Sequence, residues 1–237
     1  MKTMLITGTT QGIGRCIFER YKKQFDIVTI NRREFEGNNL ICDLTNINDV
    51  VAVANRIMQL DIDILVNNAG GASPIEFPNM SLEELVSCTN LNYHSPILLM
   101  QAVLEGMKRR NYGRVINISS IASKSPRPNI PHYGATKSAL EKFSSSLAVY
   151  YGNHGITINC ICPGGVETET SIKNRKRMAQ INGKYENYFN QGMIDNNGLG
   201  RMIYPEEVVD LIDFLISDSA DAISGQVINV CGVKEVR

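Results

Sequence analysis

Short runs of β-branched and aliphatic residues alternate along the chain with stretches in which apolar residues recur three and four positions apart. That alternation is the pattern of a parallel sheet covered by helices on both faces. Seven runs read as strands: 4–7, 26–31, 39–42, 62–66, 113–118, 156–161 and 226–230. Helical spacing is plainest over 82–88, 97–107, 139–150 and 208–216. No repeat, low-complexity tract or Pro/Gly/Ser linker divides the sequence. The expectation is one doubly wound α/β domain over residues 1–237, each crossover right-handed. Such a sheet takes its ligand beyond the carboxyl ends of its strands, so the residues that follow strands are where chemistry is expected.

Composition narrows the function classes. The 237 residues carry 24 basic and 24 acidic side chains, which offers no electrostatic reason for a nucleic acid or an anionic membrane as partner. No run approaches the roughly 20 apolar residues of a membrane span. The opening Met1-Lys2-Thr3-Met4-Leu5-Ile6-Thr7-Gly8 is too short an apolar run for a signal-peptide core, so a cytoplasmic location is expected. The six cysteines form no CxxC pair and read as reduced, mostly buried thiols, with Cys160 and Cys162 on the same side of a strand. His94, His132 and His154 have no second ligand at metal spacing, so no metal is expected. His132 reads as a partly exposed helix-start residue, with a place in the substrate pocket as the alternative.

The first strand runs into Thr7-Gly8-Thr9-Thr10-Gln11-Gly12-Ile13-Gly14 and then a helical stretch. Glycines there let a backbone approach a pyrophosphate, and the helix N-terminus offers free N–H groups. The turn therefore marks a dinucleotide site and a Rossmann-type sheet, with Gly8, Thr9, Gln11, Gly12, Ile13 and Gly14 as contacts. Asn31-Arg32-Arg33 ends the second strand, where the adenosine ribose is expected. Guanidinium groups favour a 2′-phosphate and a carboxylate would repel one, so Arg32 and Arg33 point to NADP(H). NAD(H) stays open if Glu34 turns inward.

With these motifs in order, the sequence resembles the short-chain dehydrogenase/reductase family over essentially its whole length. The resemblance implies that Asp43, with Leu44 beside it, contacts the adenine, and that Asn67-Asn68-Ala69-Gly70 is the family's Asn-Asn-Ala-Gly signature, Asn68, Ala69 and Gly70 lining the cofactor. It implies a catalytic set of Asn92, Ser120, Tyr133 and Lys137, with Asn90 as the weaker choice for the first, and Tyr133 and Lys137 also touching the cofactor. It further implies that Pro163, Gly164, Val166 and Thr168 belong to a loop over the nicotinamide.

The chemistry accounts for these residue types independently. Reducing a carbonyl takes a hydride and a proton, and a phenol of pKa about 10 serves near neutral pH only if a nearby cation lowers it. Lys137, one helical turn from Tyr133, is expected to supply one such charge and the oxidised nicotinamide ring another. Ser120 would orient the substrate oxygen and Asn92 would position a proton-relaying water.

Residues 169–204 carry no family signature and are expected to form a substrate lid. Met178, Ile181, Tyr185 and Tyr188 read as one apolar helix face, with Lys173, Arg175, Lys176 and Arg177 crowded near its start. That cluster is either a solvated charge run or a site for an anionic substrate handle. Only about seven residues separate Arg32 from the next strand, too few for a helix. The most similar members are 3-oxoacyl-(acyl-carrier-protein) reductases, which implies a small or carrier-linked carbonyl substrate and a homotetramer pairing residues 96–108 and 133–151. The alternatives are an NAD(H)-dependent sugar or polyol dehydrogenase and a non-catalytic cofactor-binding regulator. A regulator is expected to lack the tyrosine or the lysine.

Overall fold

The computed structural model describes residues 1–195 and 197–232. In chain order the elements are β1 (Thr3–Thr7), α1 (Gly12–Tyr21), β2 (Asp26–Asn31), β3 (Asn38–Ile41), α2 (Ile47–Ile57), β4 (Ile64–Asn67), α3 (Leu82–Thr89), α4 (Ser95–Arg110), β5 (Gly113–Ile118), α5 (Pro131–Tyr151), β6 (Ile156–Pro163), α6 (Glu169–Asn182), α7 (Glu186–Asp195), α8 (Pro205–Ile216) and β7 (Val227–Val230). Among these residues the strands form one seven-stranded parallel sheet in the order β3-β2-β1-β4-β5-β6-β7. The order reverses between β1 and β4, so the two strand ends splay there and leave a crevice.

Two apolar layers sandwich the sheet. Successive strand residues point to opposite faces, and β1 shows it: Leu5 joins the layer built on α2, α4 and α5, while Met4 and Ile6 join the layer built on α1 and α8. The central strands β4, β5 and β6 are buried throughout. Burial on both faces is what makes them rich in β-branched and aliphatic residues, with Arg114, Asn117, Thr157 and Asn159 buried among them.

Local chemistry sets the connections that matter for the site. Residues 32–37 join β2 to β3 without a helix, as the short spacing predicts, and Gly37 turns the chain at φ 76°. Between α3 and α4 the backbone continues as a π-turn over Asn90–His94, in which the Ser95 N–H reaches the Asn90 carbonyl. Pro96 follows and lacks an N–H, and widening the preceding turn is a common way to accommodate such a break in the ladder.

The expected single helix over Met178, Ile181, Tyr185 and Tyr188 is instead two. Gly183 takes the left-handed conformation at φ 60°, and its N–H closes on the Ala179 and Gln180 carbonyls to end α6. Met178 and Ile181 are half-buried, whereas Tyr185 and Tyr188 are 89% and 62% exposed. A spacing of three and four does not survive a glycine that reverses the backbone's hand.

Candidate active site

The Gly-rich turn lies at the crevice between β1 and β4. Gly8 has φ 72°, and its N–H donates to the Ile30 carbonyl at 2.9 Å. A Cβ on Gly14 would fall 1.9 Å from the Gly8 carbonyl oxygen, so no other residue fits there without opening the turn. Two amides lock it. The Asn68 side chain donates to the Thr7 and Gly8 carbonyls at 2.9 Å each, so its amide is spent on the turn's own backbone. Asn31 accepts from the Thr9 N–H at 2.8 Å and donates to the Thr9 hydroxyl at 2.9 Å. This role of Asn31 was not read from the sequence; a buried asparagine ending a strand was its only signal.

Helix α1 differs from its neighbours at its start. Asn46, Ser81 and Thr168 cap α2, α3 and α6 with side-chain acceptors, while Gln11 places no acceptor on α1 and no acidic residue occupies its first turn. Free N–H groups behind a glycine turn fit the diphosphate of a dinucleotide. Ile13 faces the opposite way and packs against the core beneath.

On the adenosine side Arg32 and Arg33 are exposed, and so is Glu34. The Asp43 carboxyl lies below its ordinary range, held there by the Thr45 N–H, by the Thr45 hydroxyl and by the charge of Arg32. Leu44 is buried, and its carbonyl accepts from the Ser95 hydroxyl at 2.7 Å.

Helix α5 carries the catalytic candidates against the end of β5. Lys137 is 2% exposed, its Nζ donates to the Ile118 carbonyl at 2.8 Å, and burial pushes the ammonium down to about 8. Its nitrogen stands 5.7 Å from the centre of the half-buried Tyr133 ring. Burial pushes the Tyr133 phenol up to about 12, against a hydrogen bond with Ser120 that lowers it. In the free protein desolvation therefore outweighs the help expected from Lys137, whose ammonium is turned toward a main-chain carbonyl. Asn92 is fully buried in the π-turn. Its Oδ1 accepts from the Gly71 N–H, and its Nδ2 donates to the Gly71 and Cys88 carbonyls, each at 2.9 Å. Asn90 points elsewhere, donating to the Thr45 carbonyl at 2.9 Å. A Cβ on Gly70 would lie 2.8 Å from Asn92 Oδ1 and 2.9 Å from Lys137 Nζ. The structure thus gathers Gly70, Asn92, Ser120, Tyr133 and Lys137 at one place.

The chain after β6 folds back over the Gly-rich turn. The Gly164 N–H donates to the Val230 carbonyl at 3.0 Å, Pro163 pairs with Val230 across the sheet, and Val166 is buried in a bridge with Ile203. The Thr168 hydroxyl accepts from the Ser171 N–H at 3.1 Å, and its methyl stands 3.2 Å from where a Gly12 Cβ would be. Gln11 Nε2 completes the closure by donating to the Thr170 hydroxyl at 2.7 Å.

Two further expectations change. Arg175 is not part of a surface cluster: it is 6% exposed, pairs with Glu167 at 3.0 Å and donates to the Ser171 hydroxyl at 2.9 Å, leaving Lys173, Lys176 and Arg177 outside. His132 is not partly exposed but 8% exposed, and its Nδ1 has no hydrogen-bond partner. Burial lowers its pKa against the nearby charge of Glu84. Among the described residues no group of three His, Cys, Asp or Glu side chains could hold a metal ion, and no helix is long and apolar enough to cross a membrane.

Comparison with known proteins places this geometry. The family model for short chain dehydrogenases matches residues 2–179. The chain is 30% identical to the 3-oxoacyl-(acyl-carrier-protein) reductase FabG of Haemophilus influenzae over 98% of its own length and 97% of that enzyme. It is 31% identical to the FabG of Chlamydia trachomatis, covering 98% of this chain and 96% of that one. Among solved structures, a variant of actinorhodin polyketide ketoreductase with NADPH superposes with a TM-score of 0.89 at 26% identity, covering 98% of this chain and 96% of that one.

The Gly14 contact yields a direct test. Gly14→Ala drives a methyl into the Gly8 carbonyl, so dinucleotide affinity is expected to fall at least about tenfold, a loss of roughly 1.4 kcal/mol. Isothermal titration calorimetry with NADPH checks it, and affinity unchanged from the parent would mean that the turn does not hold the cofactor.

Proposed function

The chain belongs to the short-chain dehydrogenase family, and from that premise we propose an NADP(H)-dependent reductase of ketones, with 3-oxoacyl thioesters as the substrate class. It is an NAD(P)-dependent oxidoreductase acting on CH–OH and carbonyl groups. The observation that carries the finer reading is the convergence of Ser120, Tyr133 and Lys137 beside a turn fitted to a dinucleotide. Arg32 and Arg33 support NADP(H), since both are free to meet a 2′-phosphate and Asn31, the residue before them, brings an amide rather than a carboxylate. The NADPH of the similar ketoreductase points the same way. The substrate class rests on the FabG relatives, whose names specify carrier-linked oxoacyl groups.

The nicotinamide, when bound, supplies the hydride that adds to the carbonyl carbon. Tyr133 supplies the proton: a phenol held at about 12 is fully protonated at neutral pH and ready to neutralise an alkoxide at the substrate oxygen. Ser120, which faces the phenol and lowers its pKa, orients that oxygen. Lys137 stabilises the phenolate left behind and returns a proton to it, with Asn92 positioning the water that recharges the lysine. The same ammonium would hold the nicotinamide ribose. A homotetramer built on α4 and α5 accords with Val149 and Tyr150 of α5, which are 87% and 64% exposed. The proposed location is the cytoplasm.

Two tests follow. NADPH is expected to bind at least about tenfold more tightly than NADH, roughly 1.4 kcal/mol for one charge-assisted contact, and replacing Arg32 and Arg33 by alanine should erase most of the difference. Equal affinities in the parent protein would refute NADP(H). Against a panel of ketones, oxoacyl thioesters and sugars followed by nicotinamide absorbance, Tyr133→Phe should cut turnover by about 10² or more with little change in cofactor affinity. A variant that keeps half the parent rate places the acid elsewhere.

A further inference from the structure

Helix α5 meets the end of β5 residue by residue. Tyr133, Lys137 and Glu141 follow one another at intervals of four and share a helix face. Ser120 faces the Tyr133 phenol and lowers its pKa, and the Ile118 carbonyl accepts from Lys137. Between them in sequence, the Ser119 hydroxyl donates to Glu141 Oε1 at 2.5 Å. The same carboxylate oxygen accepts the Cys162 thiol at 2.9 Å. Cys162 immediately precedes Pro163, where the chain leaves β6 to cover the Gly-rich turn. One carboxylate therefore ties the strand bearing Ser120, the strand leading into the loop above the site, and the helix bearing Tyr133 and Lys137. Ser119 is 3% exposed and Cys162 is fully buried, so the donor side of both bonds is shielded from water, while Glu141 itself is half-buried.

Glu141 also belongs to the surroundings of Lys137. Tyr133 and Glu141 face it from α5, Cys88 from α3, and Cys160 and Cys162 from β6. Burial raises the Cys88 thiol and pushes Cys160 up to about 11 and Cys162 up to about 12, so all three are neutral near pH 7. Tyr133 is neutral there too. Among these groups Glu141 is the one carboxylate, and it shares a helix face with an ammonium whose proton burial loosens.

We propose that Glu141 is a positioning residue of the hydride-transfer site, keeping Lys137 charged during turnover and holding Ser120 and the loop after β6 in register. The inference rests on the reductase reading above. Its test is the pH dependence of kcat for carbonyl reduction, on whichever substrate the panel identifies. Glu141→Gln keeps an oxygen for Ser119 and Cys162 but removes the charge. The alkaline limb, where Lys137 loses its proton, is expected to move to lower pH by up to about one pH unit, since the lost charge lies one helical turn from the lysine. Glu141→Asp restores the charge and should return the limb toward its parent position. Ser119→Ala removes the tie but not the charge, and should lower kcat at every pH with the limb in place.

A Gln variant with the parent limb overturns the proposal, as does an Asp variant displaced as far as Gln. If the Gln variant does not fold, Ser119→Ala decides: a limb that moves overturns the proposal, and a lower kcat with the limb unmoved supports it. Tyr133→Phe in the same assay separates the two levels. An active Phe variant means the reductase mechanism fails, whereas an inactive one beside an unmoved Gln limb means only the role of Glu141 fails.

Discussion

Burying an ammonium with its proton still on requires compensation from fixed groups, because the interior does not solvate charge. Lys137 sits in that position at 2% exposure, and the site is arranged around what it needs. The Ile118 carbonyl is available to it because β5 ends there and its next ladder partner is gone. Helix α5 must then cross the end of β5 at a fixed height, which sets Tyr133 beside Ser120 and Glu141 beside Ser119. Gly70 is part of the same constraint, since a methyl group at that position would meet both Lys137 and Asn92. The π-turn brings Asn92 in from the other side, clasping Gly71 through both its amide groups.

The dinucleotide side follows a parallel logic with neutral groups. A turn with glycines at φ 72° and 56° has little conformational preference of its own, and the Asn31 and Asn68 amides supply the rigidity that its side chains cannot. Both amides are consumed within the protein, which leaves the N–H groups at the start of α1 as the donors that face outward. Thr168 and Gln11 then close the segment after β6 over that turn. The Arg175–Glu167 pair fixes the base of the covering helix, at the expense of a basic cluster that looked continuous in sequence.

The sheet was legible because parallel strands buried on both faces are dense in β-branched and aliphatic residues, and the observed strands differ from the expected ones by at most two residues at either end. That Ser120, Tyr133 and Lys137 would meet was legible because one follows a strand and the other two share a helix face. What escaped depends on partners distant in sequence. Arg175 looks like its neighbours Lys173, Lys176 and Arg177 until Glu167 folds back beside it. His132 is buried only because α3 packs across the start of α5. The Tyr133 phenol was expected low from its lysine neighbour and stands high instead, because helix spacing reports proximity but not the desolvation that comes with it. The two-helix lid was missed through Gly183, whose left-handed turn ends a periodicity that the side chains alone continue.

The central claim is that Tyr133 is a desolvated acid, held protonated by the fold and made more readily ionisable by positive charge arriving at the site. Ultraviolet difference titration of the parent against Tyr133→Phe isolates that phenol from the other tyrosines, with and without NADP⁺. The account predicts ionisation near pH 12 in the free protein, falling by about one pH unit or more when the cationic nicotinamide binds. A phenol that ionises near pH 10 in the free protein, or that ignores the oxidised cofactor, would contradict it.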